Sequence, residues 1–223
     1  GPSEPVETAC SSALVALHRA VEAIRGGCDG AIVGAVNTIL VPHGHVSFAR
    51  SGMLSPDGEC RSFADDANGY VRSEGVAVMM LRRLSDAQRD GLPILGVIRG
   101  TGVNHGGRGI SLFAPNATAQ ARLIADVLAN STLDPASLTA VEAHGTGTTV
   151  GDPIEVEGLK RGFQTAVENH GGVEPAQGQI ALSSVKSWIG HCEVAAGMAG
   201  LIKLVMEMRD GVLIPDAPRR AVN

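Results

Sequence analysis

The chain of 223 residues has little aromatic side chain, with one Trp, one Tyr and four Phe. It also has no excess of positive charge, since 23 Asp and Glu outnumber 18 Lys and Arg for a formal net charge of −5. Single-stranded nucleic acid needs stacking platforms in a basic groove, so nucleic acid is excluded as the main partner. Long apolar runs are missing too: none approaches the roughly 20 residues of a membrane helix. The N-terminus has no charged region followed by an apolar stretch and a cleavage site. The chain therefore reads as soluble and cytoplasmic, with no membrane partner. Cysteine is sparse, at positions 10, 28, 60 and 192. Four scattered thiols in a chain able to bury its own core exclude a disulfide framework and suit a reduced compartment.

What is present is a globular composition, 44% hydrophobic and 18% charged, arranged as alternating strand and helix patterns. Residues 11–25 carry an apolar helical face of Leu14, Leu17, Val21 and Ile24, stopped by Gly26-Gly27. Residues 29–36 form a short buried strand. The Gly-, Pro-, Ser- and Asp-rich stretch 40–75 is mostly loop, with one helical turn near 44–50. The apolar run 76–81 predicts a strand covered on both faces, residues 85–89 a short helix and residues 94–104 another strand. A helix over 118–130, capped by Asn116 or Thr118, precedes a strand at 138–143. Asp152-Pro153 opens the next helix, and residues 164–179 read as a polar surface insertion. A strand at 180–185 leads to a helix over 194–208 that is apolar or small nearly all round, hence buried on several sides. The fold class is α/β with covered sheets.

Three segments carry chemistry. Cys10 lies in Glu7-Thr8-Ala9-Cys10-Ser11-Ser12, where an extended stretch turns into a helix. A thiol at a helix N-terminus faces unpaired N–H groups, which favours thiolate. Downstream stand Glu142-Ala143-His144-Gly145-Thr146-Gly147-Thr148, then Gly151-Asp152-Pro153-Ile154-Glu155, then Ser184-Val185-Lys186-Ser187-Trp188-Ile189-Gly190-His191-Cys192-Glu193. One Cys and two separate His, each among Gly and small hydroxyl residues, is the pattern of a thiol nucleophile served by two imidazoles. His43 and His45 lack the acidic or Cys neighbours of a metal site, so no metal is expected. Gly106-Gly107-Arg108-Gly109 lacks the spacing and Lys of a phosphate loop. Cys28, Cys60 and Cys192 read as structural.

These segments resemble the β-ketoacyl synthase (ketosynthase) domains of modular polyketide synthases, in the thiolase superfamily. The resemblance extends to Met53-Leu54-Ser55-Pro56-Asp57-Gly58, to Ala67-Asn68-Gly69-Tyr70-Val71-Arg72-Ser73-Glu74-Gly75 and to Ala114-Pro115-Asn116. Val103-Asn104-His105-Gly106-Gly107 and Gly190-His191-Cys192-Glu193 are similar to the branch whose acyltransferase is a separate protein, the trans-acyltransferase type. The resemblance implies a thiolase-like layered αβαβα fold, here partial, covering the end of the first half and most of the second. Residues 1–223 then form a partial ketosynthase domain. Its start, Gly1-Pro2-Ser3-Glu4-Pro5, looks like ketosynthase interior, and the Gly-rich turn that supplies one oxyanion-hole N–H, the other being that of Cys10, lies past its end.

By the same resemblance, Cys10 takes an acyl chain from the phosphopantetheine arm of an acyl carrier protein. His144 and His191 support decarboxylation of the malonyl carrier and hold the enolate, which attacks acyl-Cys10. No cofactor is bound directly. Lys186 orders the site electrostatically or forms a structural ion pair. Thr146 and Thr148 are candidates for contacts to the pantetheine arm. Trp188 stands where the family usually has Asn, and its bulk reshapes the acyl pocket or repositions His191. Glu7 and Ala13 are milder departures. Expected partners are the acyl carrier protein, other polyketide synthase domains and, in a complete domain, a second copy as homodimer; in the fragment that interface leaves an exposed apolar face. Two functions remain: an elongating condensing enzyme, or a truncated, non-elongating ketosynthase acting as an acyl-binding or docking module. A thiolase, which uses a second reactive Cys as base, fits less well.

Overall fold

The structure, a computed structural model, describes residues 1–107, 114–172 and 178–218. Arg108-Gly109, residues 173–177 of the expected insertion and residues 219–223 lie outside the described residues. Helix α1 (Ser12–Arg25) leads into strand β1 (Gly30–Asn37), and after helix α2 (His43–Arg50) and a long loop comes strand β2 (Gly75–Arg82). β1 and β2 pair antiparallel, with Ile32 opposite Met80 and Val36 opposite Val76. Helix α3 (Leu84–Arg89), helix α4 (Ala117–Ser131), strand β3 (Ala140–Glu142) and helix α5 (Gly151–His170) follow. Strand β4 (Ala181–Ser183) pairs parallel with β3, and the short helix α6 (Lys186–Ile189) and helix α7 (Ala196–Asp210) complete the order.

α7 packs on β2 on one side and on β3 on the other, with α1 beside it. This is the sheet–helix–sheet layering expected of the central part of the fold. Its core joins Ala13 and Leu17 of α1, Val33 and Ala35 of β1, and Cys192, Ala195 and Met198 before and within α7. α4 and α5 form a close pair, because a Cβ on Gly162 would lie 2.8 Å from that of Ile124. Asn116 caps α4 by accepting from Thr118 N and Ala119 N, as one of the two expected caps.

Five expectations need correction. Residues 94–104 run without ladder hydrogen bonds among the described residues, and Leu95 and Val97 are exposed. An apolar run becomes a strand only where a partner edge offers hydrogen bonds. The runs 29–36 and 76–81 are covered on one face only: Ile32, Val36, Val76, Val78 and Met80 point outward, since β1 and β2 alternate like any half-buried antiparallel strands. The residues 164–170 extend α5 instead of starting an insertion, for Gln, Ala and Glu favour helix until Gly171 ends it at φ +71°. α7 starts at Ala196, because Glu193–Ala195 is a 3-10 turn, and its buried side includes charged Lys203 and Glu207.

Candidate active site

The turn into α1 is strained: Ala9 has φ +57°, a region that costs a non-glycine residue of order 1 kcal/mol or more. Side chains hold it. Ser12 Oγ accepts from Thr8 N at 2.8 Å and donates to Ala9 O at 2.6 Å, while Glu7 Oε1 accepts from Ala9 N at 2.8 Å. This bend presents Cys10, half-buried, ahead of the helix.

β3 delivers the second segment. Beyond it, the loop 144–148 is held by two carboxylates from the first two turns of α5. Glu155 accepts from His144 N at 2.6 Å and Gly145 N at 2.8 Å. Asp152, almost wholly buried, accepts from Phe63 N at 2.6 Å and from Gly147 N at 3.1 Å. Burial raises the pKa of both carboxyls, against the lowering effect of these backbone donors. Gly145 has φ +43°, and a Cβ there would sit 2.6 Å from that of Ser184, so the loop closes on the third segment only with glycine.

β4 and α6 deliver that segment. His191 N donates to Val71 O at 2.7 Å and Ser73 N donates to His191 O at 2.9 Å, which docks His191 on the loop before β2. Its ring lies 5.0 Å from that of Tyr70 and 5.4 Å, edge-on, from that of His144. The Cys10 thiol and one ring nitrogen of each His lie within 4.8 Å of one another. Three segments far apart in sequence thus meet at one point, with Cys10, His144 and His191 as expected.

The electrostatics correct one expectation. The Cys10 thiol is pushed up, not down: burial outweighs the lowering by Lys186 and by its own backbone hydrogen bond, and Glu193 and Glu7 add to the rise. His191 is lowered to about 2 by burial, then by Lys186 and His144. His144 is lowered to about 3 by burial of its ring and then by Lys186. His144 is exposed to water, whereas His191 is 1% exposed, so desolvation acts more fully on His191. Both shifts favour the neutral imidazole, most strongly at His191. His191 Nδ1 accepts from Glu193 N at 2.9 Å, leaving Nε2 as the protonated, donating nitrogen. Ligation of a metal by Nε2 would need the proton on Nδ1, facing that N–H donor to donor.

Lys186 is buried, and burial lowers its pKa while Glu155 and Glu142 raise it. Its charge is felt at Cys10 and at both His. That favours the electrostatic of its two readings.

Residues 1–87 match the family described as "Beta-ketoacyl synthase, N-terminal domain" and residues 95–219 the "Beta-ketoacyl synthase, C-terminal domain". The chain belongs to the β-ketoacyl synthase family. Curated relatives of this ketosynthase chain include Polyketide synthase PksN of Bacillus subtilis, 45% identical over 100% of this chain and 4% of that protein. Spectinabilin polyketide synthase system protein NorA of Streptomyces orinoci is 48% identical over 96% of this chain and 11% of that protein. Solved structures agree: the oxazolomycin ketosynthase domain OzmH KS7 of Streptomyces albus superposes with a TM-score of 0.94 at 45% identity. The ketosynthase from module 6 of the bacillaene synthase of Bacillus subtilis does so with 0.94 at 42%. Each covers all of this chain, which spans 37% and 39% of them. The fold is the thiolase-like layered α/β fold.

In this ketosynthase the remaining expected residues sit near the cluster in different ways. Thr146 and Thr148 are half-buried with hydroxyls 3.3 Å apart, and Thr148 Oγ1 also accepts from Gly151 N. Trp188 is half-exposed and its indole N–H donates to Pro215 O at 2.7 Å. The ring neighbours of His191 are Tyr70 and His144 instead. Trp188 walls an apolar cavity of about 380 Å³ with Val76, Ala199, Ile202 and Met206. The sequence reading missed Glu155 and Asp152 as loop anchors, Tyr70 as the ring under His191, and the Arg72–Glu193 pair beside it. Asp152 and Glu155 had a signal, acids at the start of a helix that follows the His144 loop. No described helix is long and apolar enough to cross a membrane.

Proposed function

We propose that this chain carries the condensing centre of a polyketide synthase ketosynthase, which forms a carbon–carbon bond by decarboxylative Claisen condensation. Cys10 thiol attacks an acyl thioester on the phosphopantetheine arm of an acyl carrier protein, giving acyl-Cys10 and the free carrier thiol. A malonyl carrier then loses carbon dioxide, and its electron pair stays as an enolate. Neutral His191, through Nε2–H, and His144 stabilise the developing charge on the thioester oxygen by hydrogen bonds. The enolate attacks the acyl carbonyl, the tetrahedral intermediate expels the Cys10 thiolate, and a β-ketoacyl carrier leaves; the thiolate takes a proton from solvent. Lys186 steadies the anionic sulfur and keeps both imidazoles neutral. Thr146 and Thr148 are assigned to the carrier arm and Trp188 to the acyl pocket wall. Residues 1–223 are assigned to one partial ketosynthase domain of the trans-acyltransferase type, working with other synthase domains and, when complete, as a homodimer.

The observation that carries this reading is the meeting of Cys10, His144 and His191 within 4.8 Å, with His191 Nε2 set as a donor. The test is acylation of the purified chain by a short acyl-pantetheine thioester, read by intact mass and peptide mapping beside Cys10→Ala. Label confined to Cys10 is expected. Equal labelling of Cys28, Cys60 and Cys192 would mean that the site confers no reactivity, and the reading would fail.

A further inference from the structure

The tautomer of His191 depends on one backbone N–H, that of Glu193, which reaches Nδ1 at 2.9 Å. Glu193 makes that contact with φ +45°, a left-handed conformation that a glutamate adopts only when its surroundings hold it. Its side chain is held by an arginine. Arg72 Nε donates to Glu193 Oε1 at 2.5 Å and Arg72 Nη2 to Oε2 at 3.0 Å, a two-pronged ion pair whose side chains are 8% and 17% exposed. The guanidinium is itself fixed over the Phe48 ring, 5.2 Å from its centroid. The backbone of Arg72 lies in register with His191 through the bonds of Val71 O and Ser73 N. Arg72 therefore borders His191 twice, along its backbone and through the carboxylate of the residue whose N–H selects the tautomer.

We infer that Arg72 and Glu193 are positioning residues for His191: their ion pair holds Glu193 in the left-handed conformation that aims its N–H at Nδ1 and so keeps Nε2–H pointed at the reacting thioester. The importance for catalysis rests on the ketosynthase reading of His191, whereas the tautomer itself can be read without any turnover. A carboxylate–guanidinium fork is planar and fixes both distance and angle, which a lysine ammonium does not. If the pair acts through backbone conformation, glycine at 193 can replace it, because glycine takes positive φ without help.

The experiment is nitrogen-15 NMR of the histidine ring nitrogens in the full chain, with His191 assigned by its loss in His191→Gln. The unmodified chain is expected to show a single tautomer, proton on Nε2. Arg72→Ala, and Arg72→Lys as the milder change that keeps the charge, are expected to turn this into two exchanging tautomers while the other histidine signals stay dispersed. Arg72→Ala combined with Glu193→Gly is expected to restore the single tautomer. An unchanged single tautomer in folded Arg72→Ala or Arg72→Lys, or no restoration by Glu193→Gly, would overturn the inference. A chain that fails to load Cys10 but shows these tautomer changes would sink the function and leave the positioning device standing.

Discussion

Cys10 and the two histidines set a pH dependence that can be worked out by sign. A thiol raised above its ordinary value of 9.0 is mostly protonated at neutral pH, and the thiolate is the nucleophile. Loading should climb about tenfold per pH unit through the neutral range, without levelling below that ordinary value. With His144 at about 3 and His191 at about 2, neither imidazole changes charge above weakly acidic pH. No inflection is expected near the usual histidine value. Rates of Cys10 acylation by intact mass between about pH 6 and pH 9 test both statements, using the usual values as reference; a bend near 6.5 would show an imidazole titrating and contradict them. Lys186→Met removes the charge that lowers Cys10, so at fixed pH the loading rate should fall, by several-fold or more.

At the scale of elements, the junction of β3, β4 and α7 is closed by ions. Lys203 Nζ lies 2.7 Å from Glu142 Oε2, 3.2 Å from Glu207 Oε1 and 2.6 Å from Ser183 Oγ, all three charged side chains being about 5% exposed or less. Glu142 Oε1 also accepts from Val185 N, just before α6 and Lys186. Lys203→Met leaves two buried carboxylates facing each other, which costs about 3–5 kcal/mol and lowers the urea midpoint; a loss below about 1 kcal/mol would mark the triad as solvated. This network also shows what was legible in the sequence. The run 194–208 announced a buried helix through its Ala and Gly content, yet Lys203 and Glu207 read as ordinary polar positions because their partner, Glu142, is 61 residues away from Lys203. Cys10, His144 and His191 were legible because each sits in a distinctive local string. Arg72 was not, and Asp152 and Glu155 showed only as acids near the start of a helix, because their work is done on backbone groups or partners that only the fold brings near. The strand expected at 94–104 failed for the same reason, since periodicity reports an apolar face but not an edge to pair with.

The whole molecule carries more surface than its mass needs. A folded monomer of 22.9 kDa exposes about 9,600 Å² by the usual scaling, whereas this chain exposes 13,067 Å². One contiguous apolar patch lies on the outer face of β1 and β2, where Ile32, Val36, Val76, Val78 and Met80 are exposed, while Val33 and Ala35 on the other face are buried in the core. Patches of this kind drive association, so the isolated chain should bind an environment-sensitive apolar dye and scatter light increasingly with concentration. Ile32 and Met80 are cross-strand neighbours, and neither contributes to the core. Ile32→Lys with Met80→Glu places opposite charges directly across the ladder, a pairing that adds roughly 0.2–1 kcal/mol. The double variant should therefore lose most dye binding and concentration-dependent scattering while its thermal midpoint stays the same or rises. Unchanged scattering would place the association elsewhere, and a fallen midpoint would show that the outer face, despite its exposure, helps to hold the two strands on α1.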